Sequence, residues 1–269
     1  MKNEISLIIP DVHLRHEQAE KIIKHVGPDF VYFLGDEFDD FGNTPEMIRA
    51  TSEWFAWSIN QPNRIHLAGN HSLHYAYANR EFQCSGYEQW KYFMINDIVS
   101  TNDWSKMKFY HILDNTWLLT HGGLHASHLP ESISKVYMNR PLFLKNISEF
   151  LDEEIIKGFR NQSWIFRAGH SRGGNQKVGG ISWCDFDREF KPIRGLNSIC
   201  GHTPSSTVRW TNLQENSDSQ VYSTDIAYSP SLKNINNPNN SFNLCLDTNS
   251  HHYATWDGTK LQVHWIGDM

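Results

Sequence analysis

What most constrains this chain is a series of short apolar runs, each ending at a residue able to bind a cation or move a proton. Ile5 to Ile9 leads into Asp11-x-His13, Phe30 to Leu34 into Gly35-Asp36-x-x-Asp39, and Ile65 to Ala68 into Gly69-Asn70-His71. Thr116 to Thr120 leads into His121-Gly122-Gly123, and Leu196 to Cys200 into Gly201-His202. Runs this short have the length of buried strands rather than helices. Between the first two runs lies a helical pattern, Ala19, Ile22, Ile23 and Val26, stopped by Gly27-Pro28. Strand, helix, strand in that order predicts parallel strands joined by a right-handed crossover. Sites in open α/β sheets lie beyond the carboxyl ends of the strands. Five segments far apart in sequence are therefore expected to converge on one place.

The remaining chain fits the same class. Thr44-Pro45-Glu46 is a helix start, with Thr as N-cap and Pro at the first helical position. Met47, Ala50, Thr51, Trp54 and Trp57 follow at helical spacing, which places Trp54 and Trp57 in the core. Trp90 to Ile95 reads as a helix. Asp114-Asn115 between two apolar runs is a hairpin signal. Ile147, Leu151, Ile155 and Phe159 mark one face of a long helix. Residues 212–241, rich in Asn, Ser and Pro, read as long loops. Phe242 to Leu246, Tyr253 to Trp256 and Lys260 to Trp265 read as strands, the last pairing back across Asp257-Gly258. His251-His252 reads as a solvated turn. With no internal repeat and no linker, a single domain over 1–269 is the simplest organisation.

Composition excludes several classes. There are 24 Lys and Arg against 30 Asp and Glu, for a net charge of −6, with no basic block, so grip on nucleic acid through phosphate neutralisation is not expected. No apolar run approaches the ~20 residues that span a bilayer, and Ile5 to Ile9 is too short for a signal peptide. Cys84, Cys184, Cys200 and Cys245 are scattered without a Cys-x-x-Cys, which suggests neither a disulfide framework nor a zinc ribbon. A cytoplasmic setting is expected.

Asp, His and Asn together suit a borderline cation such as manganese, iron or zinc. The glycine before Asp36, Asn70 and His202 lets the backbone turn sharply and approach a bound ion. Together the five blocks resemble the calcineurin-like metallophosphoesterase superfamily, from Asp11 to about Pro204. His121-Gly122-Gly123 and Gly201-His202-Thr203-Pro204 look most like its phosphatase branch, which includes serine/threonine protein phosphatases and diadenosine tetraphosphate hydrolases. The resemblance implies a four-layer α/β/β/α sandwich of two mixed central sheets flanked by helices. It implies two divalent cations, manganese first, with iron or zinc as alternatives. Asp11 and His13 would hold one cation, Asp36 would bridge, and Asn70, His121 and His202 would hold the other. His71 would be the general acid, oriented by Asp39.

The chain also departs from that branch. Asp40-Phe41 and Ala68 stand where protein phosphatases carry phosphate-gripping arginines, and Ser72 replaces an acidic residue. A substitute grip is expected from Arg172, within Gly169-His170-Ser171-Arg172-Gly173-Gly174, ahead of Arg167 or Arg194. Gly169-His170 competes with Gly201-His202 as the last ligand block. The strand before Gly201 and the upstream Trp183-Cys184-Asp185 favour His202. Diesterase members carry a second His where Pro204 stands. The expected activity is metal-dependent hydrolysis of a phosphomonoester or phosphoanhydride in a phosphoprotein, nucleotide or dinucleoside polyphosphate. A bridging hydroxide would attack, and His71 would protonate the leaving group. The rivals are a phosphodiesterase or nuclease, and a protein-binding module that kept the fold. His125, His128, His74 and Tyr75 could shape the pocket, and Tyr222 or Tyr228 could stack on a base.

Overall fold

The computed structural model describes residues 4–214, 217–223 and 231–269, with backbone alone for 214 and 217–223. The strands are β1 (Ser6–Ile9), β2 (Phe30–Phe33), β3 (Arg64–His66), β4 (Tyr110–Leu113), β5 (Trp117–Thr120), β6 (Asn197–Cys200), β7 (Arg209–Gln214), β8 (Ser217–Ser223), β9 (Ser241–Cys245), β10 (His252–Trp256) and β11 (Leu261–Trp265). The helices are α1 (His16–Val26), α2 (Pro45–Ser58), α3 (Asn70–Ala76), α4 (Gln89–Ile98), α5 (Thr101–Trp104), α6 (Glu131–Ser134), α7 (Arg140–Phe159) and α8 (Leu232–Ile235).

Two mixed sheets result, one in the order β11-β10-β1-β2-β3 and the other β4-β5-β6-β9-β7-β8. β1, β2 and β3 run parallel, as do β5, β6 and β9. Alternation along β1 shows the layering. Ile8 joins Trp117, Leu119, Ile199, Trp210, Leu244 and Trp256 in a core between the sheets. Leu7 and Ile9 face the opposite way, toward Ala19 and Ile22 of α1 and Ile48 and Phe55 of α2. Leu118 of β5 turns likewise toward Ile147 and Leu151 of α7. This is the four-layer arrangement expected. The period of two sends successive side chains to opposite faces, and each face is covered.

Local signals act where they were read. Thr44 Oγ1 accepts the Met47 N–H at 3.3 Å, and Pro45 opens α2. Gly27 ends α1 in the left-handed conformation at φ 60°, which costs glycine little. Asp114 and Asn115 both take positive φ in the β4–β5 turn.

Three readings are corrected. Residues 212–241 are not all loop, because β7 ends, β8 lies and β9 begins there. Polar Thr, Asn, Ser and Gln dominate β7 and β8 without an apolar run, and the ladder of β9 to β7 and β7 to β8 supplies what hydrophobicity does not. Trp54 is buried as expected, but Trp57 is 49% exposed and Met47 41% exposed, because the buried face of α2 runs through Ile48, Thr51, Trp54, Phe55 and Ser58. The Arg64 guanidinium lies 4.5 Å from the Trp57 ring centroid. Cation–π contacts are worth about 0.5–1 kcal/mol at exposed sites and more where desolvated, as the Arg64 side chain largely is. His252 is buried at the start of β10, while its neighbour His251 stays exposed.

Candidate metal centre

Each sequence block sits where its strand ends. Asp11 and His13 follow β1, Asp36 and Asp39 follow β2, and Asn70 and His71 open α3 just after β3. His121 follows β5 and His202 follows β6. Strand order then does the assembly: β1, β2 and β3 are neighbours in one sheet, β5 and β6 in the other, and the donors at their ends meet in one cluster. His13, Asp36, Asp39 and His202 hold positive φ, a conformation uncommon for residues with a side chain. Strained backbone of this kind persists where the surroundings enforce it, often at functional sites. Gly69 and Gly201 explain the glycines before the ligands. A Cβ at Gly69 would collide with the Asp36 carboxylate, and one at Gly201 with the Asp11 carboxylate.

The side chains form two groups that share Asp36. In one, ligand atoms of Asp11, His13 and Asp36 lie within 4.8 Å of each other; in the other, those of Asp36, His121 and His202 do. His121 Nε2 is 3.1 Å from Asp36 Oδ2, 3.1 Å from Asn70 Oδ1 and 3.2 Å from His202 Nδ1. All of these except His13 are at least nine-tenths buried.

The hydrogen bonds fit a cation in each group. His121 Nδ1 donates to the Leu34 carbonyl at 2.9 Å, and His13 Nδ1 donates to the Asp39 carbonyl at 2.6 Å. Each ring is thus locked with Nε2 facing the carboxylates, the orientation of a metal-ligating histidine tied down by a carbonyl. Asp36 Oδ2, Asn70 Oδ1 and the two inward imidazole nitrogens are then acceptors facing acceptors. Among the described residues, His202 Nε2 is buried without a hydrogen-bond partner. The charges agree. Burial, Asp247 and Asp36 push the Asp11 carboxyl up to about 7. Burial disfavours charge on His121, yet Asp36 and Asp11 raise it to about 9. Both shifts report a concentration of negative charge that draws in protons, and a divalent cation would replace them.

Beside this cluster, His71 Nδ1 is 3.0 Å from Asp39 Oδ2. The backbone N–H of His71, not its ring, donates to Asp36 Oδ1 at 2.8 Å. Burial works against charge on His71, but Asp36 and the bonds to Asp39 and Cys84 raise its proton affinity well above the ordinary value. Asp39 is engaged from every side. His74 Nε2 lies 3.0 Å from Oδ2, while Tyr75 Oη and Lys91 Nζ donate to Oδ1 at 2.7 and 3.0 Å. Burial raises its pKa, but the bonds to His71 and His74 outweigh that and hold it well below the carboxylate range. His74 and Tyr75 thus brace Asp39 rather than shape a pocket. Ser72, the departure from the acidic residue expected, donates to buried Glu37 at 2.6 Å, and Glu37 also meets His66 Nδ1 at 2.9 Å. That network ties α3 to the loop carrying Asp36.

The cluster opens into a cleft of about 560 Å³, lined in part by His13, Asp36, Asn70, His71 and His202. Arg172 lines it too, its Nε 2.9 Å from Asp185 Oδ2. Arg167 instead pairs with Glu81, and Arg194 donates to the Asn239 carbonyl, both away from the cleft. His170 is exposed and lies outside the cluster that His202 joins. His125 turns to Ser127, and His128 stacks on Trp164 at 3.7 Å; neither lines the cleft. The side chain of Tyr222 and all of Tyr228 fall outside the described residues.

Sequence reasoning missed four participants. Arg15 reaches the cleft, held by Asp40 at 2.7 Å. Asp40 is the residue that stands in an arginine's expected place, so a guanidinium still reaches this wall from another segment. Asp247 and Asn249 line the cleft just past β9. The rule that found the other blocks, a carboxylate after an apolar run, applies to Phe242 to Leu246 and would have found Asp247. Lys91, 1% exposed, gave no signal, because its contact with Asp39 depends on how α4 packs.

A sequence profile described as calcineurin-like phosphoesterase matches residues 6–206, and the chain belongs to that family of dinuclear metal-dependent enzymes, hydrolases of phosphate esters. Among solved structures it is similar to a metallophosphoesterase from Sphaerobacter thermophilus, at 13% identity and TM-score 0.48, covering 98% of this chain and 88% of the other. It is also similar to the protein TT1561 of Thermus thermophilus, at 11% identity and TM-score 0.39, covering 98% and 99%. A serine/threonine phosphatase from Saccharomyces cerevisiae matches at 16% identity and TM-score 0.30, covering 46% of this chain and 39% of that one. No curated protein sequence matches the chain. Among the described residues, no helix is long and apolar enough to cross a membrane.

Proposed function

We propose that this chain is a phosphatase, hydrolysing a phosphomonoester or phosphoanhydride of a nucleotide, dinucleoside polyphosphate or phosphoprotein. The observation that carries this reading is the pair of ligand groups sharing buried Asp36, with the His71–Asp39 pair beside them at the floor of one cleft. Asp11 and His13 would hold one divalent cation and Asn70, His121 and His202 the other, with Asp36 between them offsetting their repulsion. When bound, such a pair supplies a nucleophile at neutral pH and polarises the phosphoryl oxygens. Manganese is our first expectation, with iron or zinc as alternatives.

The protein's own groups do the rest. Asp39 holds Nδ1 of His71, which leaves Nε2 to the cleft. Nε2 then gives its proton to the departing oxygen as general acid. Arg172 grips a phosphate oxygen, and Asp185 keeps its guanidinium in place. β10 and β11 close the N-terminal sheet against β1, which supports reading 1–269 as one domain. A cytoplasmic location remains our reading.

Protein purified without chelators should carry about two metal ions per chain and hydrolyse p-nitrophenyl phosphate, faster after manganese addition. Faster turnover of bis-p-nitrophenyl phosphate would overturn the reading in favour of a diesterase. Absence of both metal and turnover would leave a binding module. A further expectation concerns Arg172→Gln. A hydrogen bond to a charged group is worth about 1.5–3 kcal/mol, so KM and the inhibition constant for inorganic phosphate should both rise by roughly tenfold or more. Unchanged values would remove Arg172 from substrate binding and turn attention to Arg15.

A further inference from the structure

Beside the paired centre lies a third set of ligand atoms, one of them on the proposed catalytic acid itself. His71 and His74 stand three residues apart on α3, on one side of the helix. Cys84 comes from the segment between α3 and α4. Its Sγ is 3.3 Å from His74 Nδ1 and 4.0 Å from His71 Nδ1. Ligand atoms of all three residues lie within 4.8 Å of one another.

We propose that His71, His74 and Cys84 form an inhibitory binding site for a thiophilic divalent cation of the zinc type, separate from the paired centre. Metal–ligand distances of about 2.3 Å to sulfur and about 2.0–2.1 Å to nitrogen, in tetrahedral geometry, put ligand atoms about 3.3–3.6 Å apart. The separations from Cys84 straddle that range, so small side-chain rotations close the set. Thiolate with imidazoles selects zinc over manganese or magnesium, which favour oxygen. The paired centre, built from carboxylates, imidazoles and an amide, contains no sulfur. Access is available, because Cys84 is half-buried and its neighbours Ser85 and Gly86 line the cleft with His71.

The inhibition rests on the role proposed for His71. A cation on Nδ1 takes the nitrogen that now faces Asp39, so the ring can no longer cycle as an acid. One class of metal would then be required and another would stop turnover, from ligands that share the dipeptide Asn70-His71.

The test uses manganese-loaded protein titrated with one further equivalent of Co²⁺, and separately with Zn²⁺. Wild type should show thiolate-to-cobalt charge-transfer absorption in the near ultraviolet. Cys84→Ser and Cys84→Ala should lack it, since Cys184, Cys200 and Cys245 are fully buried elsewhere. Zinc should inhibit wild type at concentrations at least roughly tenfold lower than either variant, each measured against its own manganese-supported rate. Absence of the band in wild type, or its persistence in both variants, overturns the site. Equal zinc sensitivity in all three, relative to each protein's own uninhibited rate, overturns the inhibition and assigns zinc's effect to exchange at the paired centre. A band without any turnover would support the site and sink the phosphatase reading instead, so the two failures are distinguishable.

Discussion

Asp36→Asn should abolish stoichiometric metal binding and lower turnover by at least about a thousandfold. Asp36 is the one side chain common to both ligand groups. An amide keeps the shape and can still accept the His71 backbone N–H, so the fold should survive. It cannot supply the negative charge that two adjacent cations need. Burial opposes charge on Asp36, and His121, His71 and His13 overcome it to hold the carboxyl ionised, so the charge is present at every working pH. Without a second cation the nucleophile is lost, since metal coordination is what brings the pKa of water from 15.7 to about 7. Metal content by elemental analysis, with circular dichroism to confirm folding, checks the result. Retention of two ions per chain would show that Asp36 does not bridge.

His71→Ala should cut the rate on alkyl phosphates by about 10²–10⁴, the usual contribution of a general acid, while both cations stay bound. The effect should shrink on p-nitrophenyl phosphate, whose leaving group hardly needs a proton. The contrast is sharp here because the backbone N–H of His71, not its ring, is bonded to Asp36, and the ring only packs edge-on against His13. Removing the ring therefore removes the proton without removing a ligand. Equal losses on both substrates would take His71 out of the acid role, and loss of metal would make it a structural support of the centre.

Much of this site was legible before any coordinates. A strand buried on both faces must be apolar, so the first polar residue past it marks where the sheet ends. Asp11, Asp36, Asn70, His121 and His202 all stand at such points. Asp247 stands at another, yet it lies alone after Phe242 to Leu246, without a histidine to draw the eye. β7 and β8 are hard to read from the sequence because they are held by the ladder in which β7 pairs with β9 and β8 with β7, which leaves no apolar run. The buried face of α2 is only partly legible because Met47 and Trp57 share a helical spacing with Trp54, and only the packing against β2, where Trp54 meets Phe33, decides which side is inward.

Sequence alone therefore determined the elements of the sheets, their polar ends and the chemical character of the donors, since these depend on local patterns of burial and turn. Tertiary structure decided which donors meet. It placed His202 rather than His170 beside His121, and Arg172 and Arg15 rather than Arg167 and Arg194 at the cleft. It also gathered His71, His74, Tyr75 and Lys91 around one carboxylate, Asp39. Those choices are set by strand order and by the packing of α3 and α4, distances of tens of residues along the chain that no local signal can encode.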